Sequence, residues 1–350
     1  METVTVQASG TYDVLIGGGL LQNAATLLSP IVKRGAAVIV SDDTVYSLYG
    51  ETLKGILEAN GNRTCSFIFP HGEQSKNADT YIALLNFLAE NAVTRTDTVV
   101  ALGGGVTGDM AGFAAATYMR GINLIQMPTT LLSAVDSSVG GKTGIDLKAG
   151  KNLAGAFYQP RLVLCDTRLL DTLPPDVFTD GMAEVIKHAI LAGGELRELL
   201  SAPVKPNLDK IIRLNVSIKR DVVEADEREA GKRQLLNLGH TIGHAVETLS
   251  KYAVPHGQAV AIGTCFMARI CAKRGVCAPE TADEIIRLCR LHGLPTETAF
   301  TATEIAETAR LDKKRKSSRI TLVWIEGFGR CKLQDIEMDA YEPLLRLALP

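Results

Sequence analysis

An alternation of strand and helix signals in the first half of the chain constrains its fold more than any other feature. Short β-branched runs at residues 14–16, 37–40, 67–69, 98–102, 123–127 and 162–165 are separated, in several cases, by helical patterns such as 44–60 and 77–91. Alternation of this kind reads as a mainly parallel sheet with helices on its faces. The signature changes at Leu173-Pro174-Pro175; beyond it, long periodic segments at 177–191, 208–225, 241–250, 257–273 and 279–291 read as helices. Gly193-Gly194 and the stretch 203–206 act as breakers between them, and one late run, 319–325, is β-rich enough to add a strand. With 350 residues the chain exceeds one ordinary core. The expected organisation is an α/β Rossmann-like domain over 1–174 and an all-α domain over 175–350.

Composition narrows the partners. The net charge of −2 gives no global attraction to nucleic acid or to an anionic membrane, so any anionic ligand has to be caught by a local basic cluster. No apolar run approaches the ~18–20 residues of a membrane span. Residues 1–10 have neither the basic nor the apolar region of a signal peptide, and a cytoplasmic protein is expected. The seven cysteines form no CxxC and several sit in apolar patterns, which fits buried thiols in a reducing compartment.

Two glycine-rich segments carry chemistry in the first domain. Gly103-Gly104-Gly105-Val106-Thr107-Gly108-Asp109 follows the strand 98–102 and opens an apolar helix. Glycines there let backbone approach a diphosphate, and the helix start offers unpaired N–H groups; the plainer alternative is a tight turn. No acid follows about 20 residues later, as the usual dinucleotide fingerprint requires. Asp42 and Asp43, after the strand 37–40, can contact a ribose instead, or serve as a helix cap. The second segment runs from Val135 to Gly144. Its GGKTG tail resembles a P-loop ending, but Asp136 stands where a P-loop needs glycine. What is left is a flexible loop bearing Lys142, followed by Lys151 and Asn152, which suits a phosphate or carboxylate or simply solvates two lysines.

The second domain concentrates metal-ligating types. Glu184, Lys187 and His188 are spaced i, i+3, i+4 and share a helix face, either in a polar cavity or as a surface Glu–Lys pair. His240 and His244 are i, i+4, the spacing that turns two imidazoles toward one metal, and His256 follows closely. Adding Glu184 gives two histidines and a carboxylate with open positions, a donor set of the catalytic rather than the closed structural kind. The basic run 312–316 reads as a solvated loop, with a substrate-binding lid as the alternative.

Taken together, HGEQSK (71–76), GGGVTGD (103–109), MPTTLLSAVDSSVGGKTGIDLKAGKN (127–152), GAFYQP (155–160), GMAEVIKH (181–188), NLGHTIGHAVE (237–247), HGQAVAIG (256–263) and DKK (312–314) resemble the 3-dehydroquinate synthase family, the sugar-phosphate cyclases of the shikimate pathway. The resemblance runs in order from about residue 10 to residue 325. It implies a dehydroquinate synthase-like fold, NAD, a zinc ion replaceable by cobalt, and a homodimer. The implied substrate is 3-deoxy-D-arabino-heptulosonate 7-phosphate, carried through transient oxidation, phosphate elimination, re-reduction and intramolecular aldol closure.

The resemblance also assigns residues. Metal ligands fall on Glu184, His240 and His256, which makes His244 a hydrogen-bonding or proton-moving residue. Cofactor contacts fall on Asp42, Glu73, Gln74, Ser75, Lys76, Gly105, Val106, Thr107, Gly108, Asp109, Thr129, Thr130, Lys142, Lys151, Leu169, Leu170, Asp171 and Thr172. Catalytic or substrate contacts fall on Asp136, Lys142, Asn152, Lys187, Lys219, Arg233, Asn237, His244 and Lys313, with Arg120 reaching across a dimer interface. Two positions depart from the family pattern: His71 stands where an Asp is usual, and Asp180 where an Asn often contacts the cofactor. Sister cyclases making 2-deoxy-scyllo-inosose or a valiolone act on substrates without a carboxylate, and Lys219, Arg233, Asn237 and Lys313 favour the carboxylate-bearing one. A metal-dependent polyol dehydrogenase is the more distant alternative.

Overall fold

The computed structural model describes residues 1–33, 35–313 and 318–349, with the side chains of 311–313 outside that description. The chain divides into two compact units, Met1–Leu173 with Lys219–Arg228, and Pro174–Ile218 with Glu229–Pro350.

The first unit is built on a seven-stranded sheet. Its strands are β1 (Glu2–Gln7), β2 (Thr11–Gly17), β3 (Ala36–Asp42), β4 (Arg63–Phe69), β5 (Thr98–Gly103), β6 (Asn123–Pro128) and, after a separate two-stranded ribbon of β7 (Lys142–Leu147) and β8 (Gly150–Phe157), β9 (Leu162–Asp166). The order across the sheet is β1-β2-β9-β6-β5-β3-β4. Only the β1–β2 hairpin is antiparallel; the other pairs are parallel. The helices are α1 (Ala24–Val32), α2 (Asp43–Val45), α3 (Glu51–Ala59), α4 (Ala78–Glu90) and α5 (Gly105–Thr117). Side-chain alternation explains why the central strands look uniformly apolar in sequence. Ala37, Ile39, Val100 and Leu102 pack with Leu28 of α1 and Leu53 and Leu57 of α3. Their neighbours Val38, Val40, Val99 and Ala101 pack with Leu84 and Leu88 of α4 and Met110, Ala111 and Ala114 of α5. Both faces are covered, so both are predominantly apolar.

The second unit holds α6 (Pro175–Ala192), α7 (Gly194–Leu199), most of α8 (Leu208–Ala225), α9 (His240–Leu249), α10 (His256–Lys273), α11 (Pro279–Leu291), α12 (Ala302–Lys313) and α13 (Met338–Arg346). An antiparallel ribbon, β10 (Arg319–Gly327) with β11 (Arg330–Glu337), adds to the helices. The β-rich run of the sequence is β10. Its partner was hidden because β11 is half-exposed and correspondingly polar, with no apolar run to mark it.

Candidate active site

In the first unit the strand order reverses between β3 and β5: the chain leaves β3 for β4 at the edge and returns to β5 on the other side. Loops diverging from the carboxyl ends of two such strands leave a crevice, the usual ligand position in open α/β sheets. Asp42 ends β3 and Gly103 ends β5. Gly103-Gly104-Gly105 then turns the chain into α5 with no room for side chains, since a Cβ on Gly103 would lie 2.4 Å from Thr107 Oγ1 and one on Gly104 3.1 Å from Thr130 Cγ2. The start of α5 has no side-chain cap and no acid in its first turn. Its first N–H groups, on Gly105, Val106 and Thr107, thus keep the positive end of the helix dipole available; Gly108 N–H bonds the Gly104 carbonyl. The hydroxyls of Thr107 and Thr129 are buried without a hydrogen-bond partner among the described residues. This donor set fits the diphosphate of a dinucleotide. Asp42 also caps a helix, its Oδ1 accepting the Val45 N–H at 2.9 Å, while Asp43 pairs with His71 Nδ1 at 2.8 Å. That hydrogen bond holds the Asp43 carboxyl below its ordinary range.

The segment Glu73-Gln74-Ser75-Lys76 forms a 3₁₀ turn after β4. Lys76 is buried and donates to Asp109 Oδ2 and to Asn152 Oδ1, both at 2.6 Å. Burial alone would lower its pKa; Asp109 and Glu73 instead raise it above the ordinary lysine value. The β7–β8 ribbon is held to this turn, with Asp146 N–H donating to the Lys76 carbonyl at 2.8 Å and Lys151 Nζ 3.5 Å from Glu73 Oε1. Removing one partner of a buried ion pair strands the other charge. The variant Lys76→Met is therefore expected to lose about 3–5 kcal/mol of stability in urea titration. Elsewhere in the unit, Thr130 and Ser133 exchange hydrogen bonds before Asp136, and Lys219 Nζ lies 2.7 Å from Asp136 Oδ1. The turn carrying Leu169, Leu170, Asp171 and Thr172 is fastened by Tyr49, whose hydroxyl reaches the Leu169 carbonyl at 3.2 Å and Thr172 Oγ1 at 2.6 Å. Lys142 is exposed at the start of β7, and Arg120 is exposed with φ +65°.

In the second unit the metal-ligating types converge. Glu184 on α6 is fully buried, and its Oε1 lies 3.5 Å from His240 Nε2 on α9 and 3.6 Å from His256 Nε2 on α10. Ligands about 2.1 Å from a tetrahedral ion sit roughly 3.4 Å apart, so this spacing fits a divalent cation. Each ring is turned by its other nitrogen: His240 Nδ1 bonds the Leu238 carbonyl at 3.1 Å, and His256 Nδ1 meets Glu247 Oε2 at 3.3 Å. Such outer contacts fix the tautomer that leaves Nε2 free to ligate. Burial, followed by the Lys187 charge, lowers the His240 pKa to about 3, which favours the neutral ring that metal ligation requires. Burial disfavours charge on His256 too, but hydrogen bonds to Glu184 and Glu247 push its pKa up to about 10. Lys187, one turn from Glu184, forms a buried ion pair with it.

Missing side chains let the helices approach. Gly239 has φ +78°, and a Cβ there would lie 2.4 Å from Thr264 Oγ1. A Cβ on Gly263 would lie 2.0 Å from the Gly239 carbonyl oxygen. This brings α9 against α10 and His240 toward His256. His244 shares α9 with His240 but is exposed, its ring edge-on to His240 at 5.5 Å; it belongs to a second cluster with Glu247 and His256. Arg233 is buried, and Asn237 donates to Glu229 Oε1 at 2.8 Å. The side chain of Lys313 lies outside the described residues. Sequence reasoning did not single out Glu247, although its i+3 spacing from His244 and i+7 spacing from His240 mark the same helix face. His188, placed by spacing beside Glu184, does present a ring nitrogen within 4.8 Å of the Glu184 carboxylate, and its Nδ1 meets Asn215 Oδ1 at 3.0 Å.

Comparisons with known proteins place the chain in a family. Residues 66–180 match the family model for the 3-dehydroquinate synthase N-terminal region, and residues 181–315 match that for its C-terminal region. A 3-dehydroquinate synthase of Pelobacter propionicus is 43% identical, covering 97% of this chain and 97% of its own. A solved 2-deoxy-scyllo-inosose synthase complexed with carbaglucose-6-phosphate, NAD+ and Co2+ superposes with a TM-score of 0.88 at 26% identity, over 99% of this chain and 100% of that one. A 2-epi-5-epi-valiolone synthase from Streptomyces hygroscopicus subsp. jinggangensis 5008, with NAD+ and Zn2+ bound, gives 0.88 at 25% identity, over 99% and 98%. Two consecutive family models spanning 66–315, and a relative alike from end to end, leave one assignment: the chain belongs to the 3-dehydroquinate synthase family.

Proposed function

We propose that the chain converts 3-deoxy-D-arabino-heptulosonate 7-phosphate to 3-dehydroquinate and phosphate, as a phosphate-eliminating carbon–oxygen lyase. The full-length likeness to named 3-dehydroquinate synthases carries this reading, since the likeness to the sister cyclases is weaker, at 43% against 26% identity. NAD supplies a hydride acceptor whose hydride is returned, and Zn2+ or Co2+ supplies Lewis acidity toward substrate hydroxyls. Glu184, His240 and His256 hold the metal. The glycine turn with Asp42, the stretch from Glu73 to Lys76, Asp109, Thr129, Thr130, Lys151 and the turn from Leu169 to Thr172 hold the dinucleotide.

The substrate carries a phosphate and a carboxylate, so it needs several cations in a chain of net charge −2. Lys142, Lys187, Lys219, Arg233 and Lys313 serve there, with Asp136, Asn152 and Asn237 orienting hydroxyls. His244, exposed beside the metal set with its ring edge-on to His240 at 5.5 Å, moves protons. The variant His244→Asn is expected to lower kcat by ~10²-fold or more while bound metal stays at the level of the unaltered enzyme. Loss of metal in that variant would make His244 a ligand.

A homodimer in the cytoplasm belongs to the same reading, with Arg120 entering the partner's site. Among the described residues no helix is long and apolar enough to cross a membrane. Phosphate release from the heptulosonate phosphate, with and without chelator, tests the whole. The expected result is chelator-sensitive release with no net NADH. Turnover of glucose 6-phosphate or sedoheptulose 7-phosphate in its place would assign a sister cyclase, and accumulating NADH a polyol dehydrogenase.

A further inference from the structure

The first turn of α10 lacks a cap of its own. Its flanking residue is Pro255, whose ring has no acceptor, and no side-chain hydrogen bond is made there. The N–H groups that open a helix need acceptors when half-buried. They find one on another helix: Asp180 of α6 accepts from Gln258 N–H at 3.0 Å, through Oδ1. The contact is close. A Cβ on Gly257 would lie 1.9 Å from the Asp180 carbonyl oxygen and 2.9 Å from its Cγ.

Asp180 and Glu184 are four residues apart on α6 and therefore share a face. His256 is the first residue of α10. One face of α6 thus touches α10 twice, through the Asp180 cap and, one turn on, through the Glu184 carboxylate 3.6 Å from His256 Nε2. We infer that Asp180 is a positioning residue for the metal centre: it caps α10 from α6 and so sets where His256 stands relative to Glu184. The inference rests on Glu184, His240 and His256 being the metal set. Its requirement is an acceptor of the right reach rather than a negative charge. An Asn, the residue that often stands here in the family, supplies such an acceptor.

Equilibrium dialysis against Zn2+, with the visible absorption of the Co2+ form as a second readout, tests the cap in four variants of the full chain. Asp180→Asn is expected to keep metal affinity within about threefold and to leave the Co2+ spectrum unchanged. Asp180→Ala and Asp180→Glu, which remove or misplace the acceptor, are expected to weaken metal binding by about 10–100-fold, the usual effect of an outer contact on a ligand, and to shift the Co2+ bands. Should Asp180→Ala not fold, Asp180→Glu, which keeps the charge, carries the test. Unaltered affinity in Asp180→Glu or in folded Asp180→Ala overturns the cap role, as does equal weakening in Asp180→Asn and Asp180→Ala. His256→Ala separates the two readings: if it retains metal, the ligand set itself is wrong; if it loses metal while Asp180→Glu does not, only the cap is wrong.

Discussion

The variant Glu184→Gln is expected to bind Zn2+ more than about 100-fold more weakly, exceeding what an outer contact contributes, and to lose at least ~10³-fold in kcat/KM, about 4 kcal/mol of transition-state stabilisation. The substitution is nearly isosteric, so packing of the fully buried side chain is preserved and only charge and donor character change. The amide presents a neutral oxygen, or an NH2 group, to His240 and His256, at the 3.5 and 3.6 Å spacings that a cation would bridge. It also withdraws the carboxylate from Lys187, which is itself buried, so a loss of a few kcal/mol of stability accompanies the loss of metal. Metal content after gel filtration and a urea titration report the two effects separately. If Glu184→Gln kept its metal while Glu247→Gln lost it, the ion would belong to the neighbouring cluster of His244, Glu247 and His256.

The parallel sheet was legible from the chain itself, because a strand covered on both faces must be apolar at every position. Residues 99–102 are such a stretch, and Val99 and Val100 do point to opposite cores. Helices of the second unit were equally visible through their period. Strand β11 was not, since a half-exposed ribbon strand carries no run of apolar residues. The metal site divides in the same way. Glu184, His240 and His256 stood out by residue type, but periodicity can group only residues on one element. It brought forward His240 with His244 on α9 and could not choose between His244 and His256, which is on another helix; the family resemblance made that choice. Spacing also placed His188 beside Glu184, and a ring nitrogen of His188 does lie within 4.8 Å of that carboxylate, while Nδ1 is engaged by Asn215. The outer contacts, Glu247 to His256 and Asp180 to α10, depend on how helices cross and leave no mark that a single sequence can display. Asp180 was visible only as a departure from a family pattern.

The crossing of α9 and α10 yields the other large expected effect. Gly263→Ala adds one methyl group, 2.0 Å from the carbonyl oxygen of Gly239 and 3.0 Å from the backbone nitrogen of Gly243. Neither neighbour is a side chain that can rotate away, so the helices must move apart. Gly239 is the residue immediately before His240, and its left-handed φ of +78° already limits how that backbone can adjust. Displacing it carries His240 off Glu184, and a ligand misplaced by an ångström no longer closes the coordination set. The variant is therefore expected to bind Zn2+ at least ~30-fold more weakly and to lose about 1–3 kcal/mol of stability, the usual range for overpacking. Its affinity for NAD is expected to stay within about threefold, because the glycine turn and its threonines belong to the unit containing Met1–Leu173. Fluorescence titration with NADH beside metal dialysis measures both. A matching glycine with open space, Gly55 in α3, serves as the control, since a Cβ there meets nothing within 4 Å. Alanine at that exposed helical position should stabilise by roughly 0.5–1 kcal/mol. Equal metal affinity in Gly263→Ala and Gly55→Ala would show that the helix contact does not set the ligand geometry, and that His240 is held by its Leu238 hydrogen bond alone.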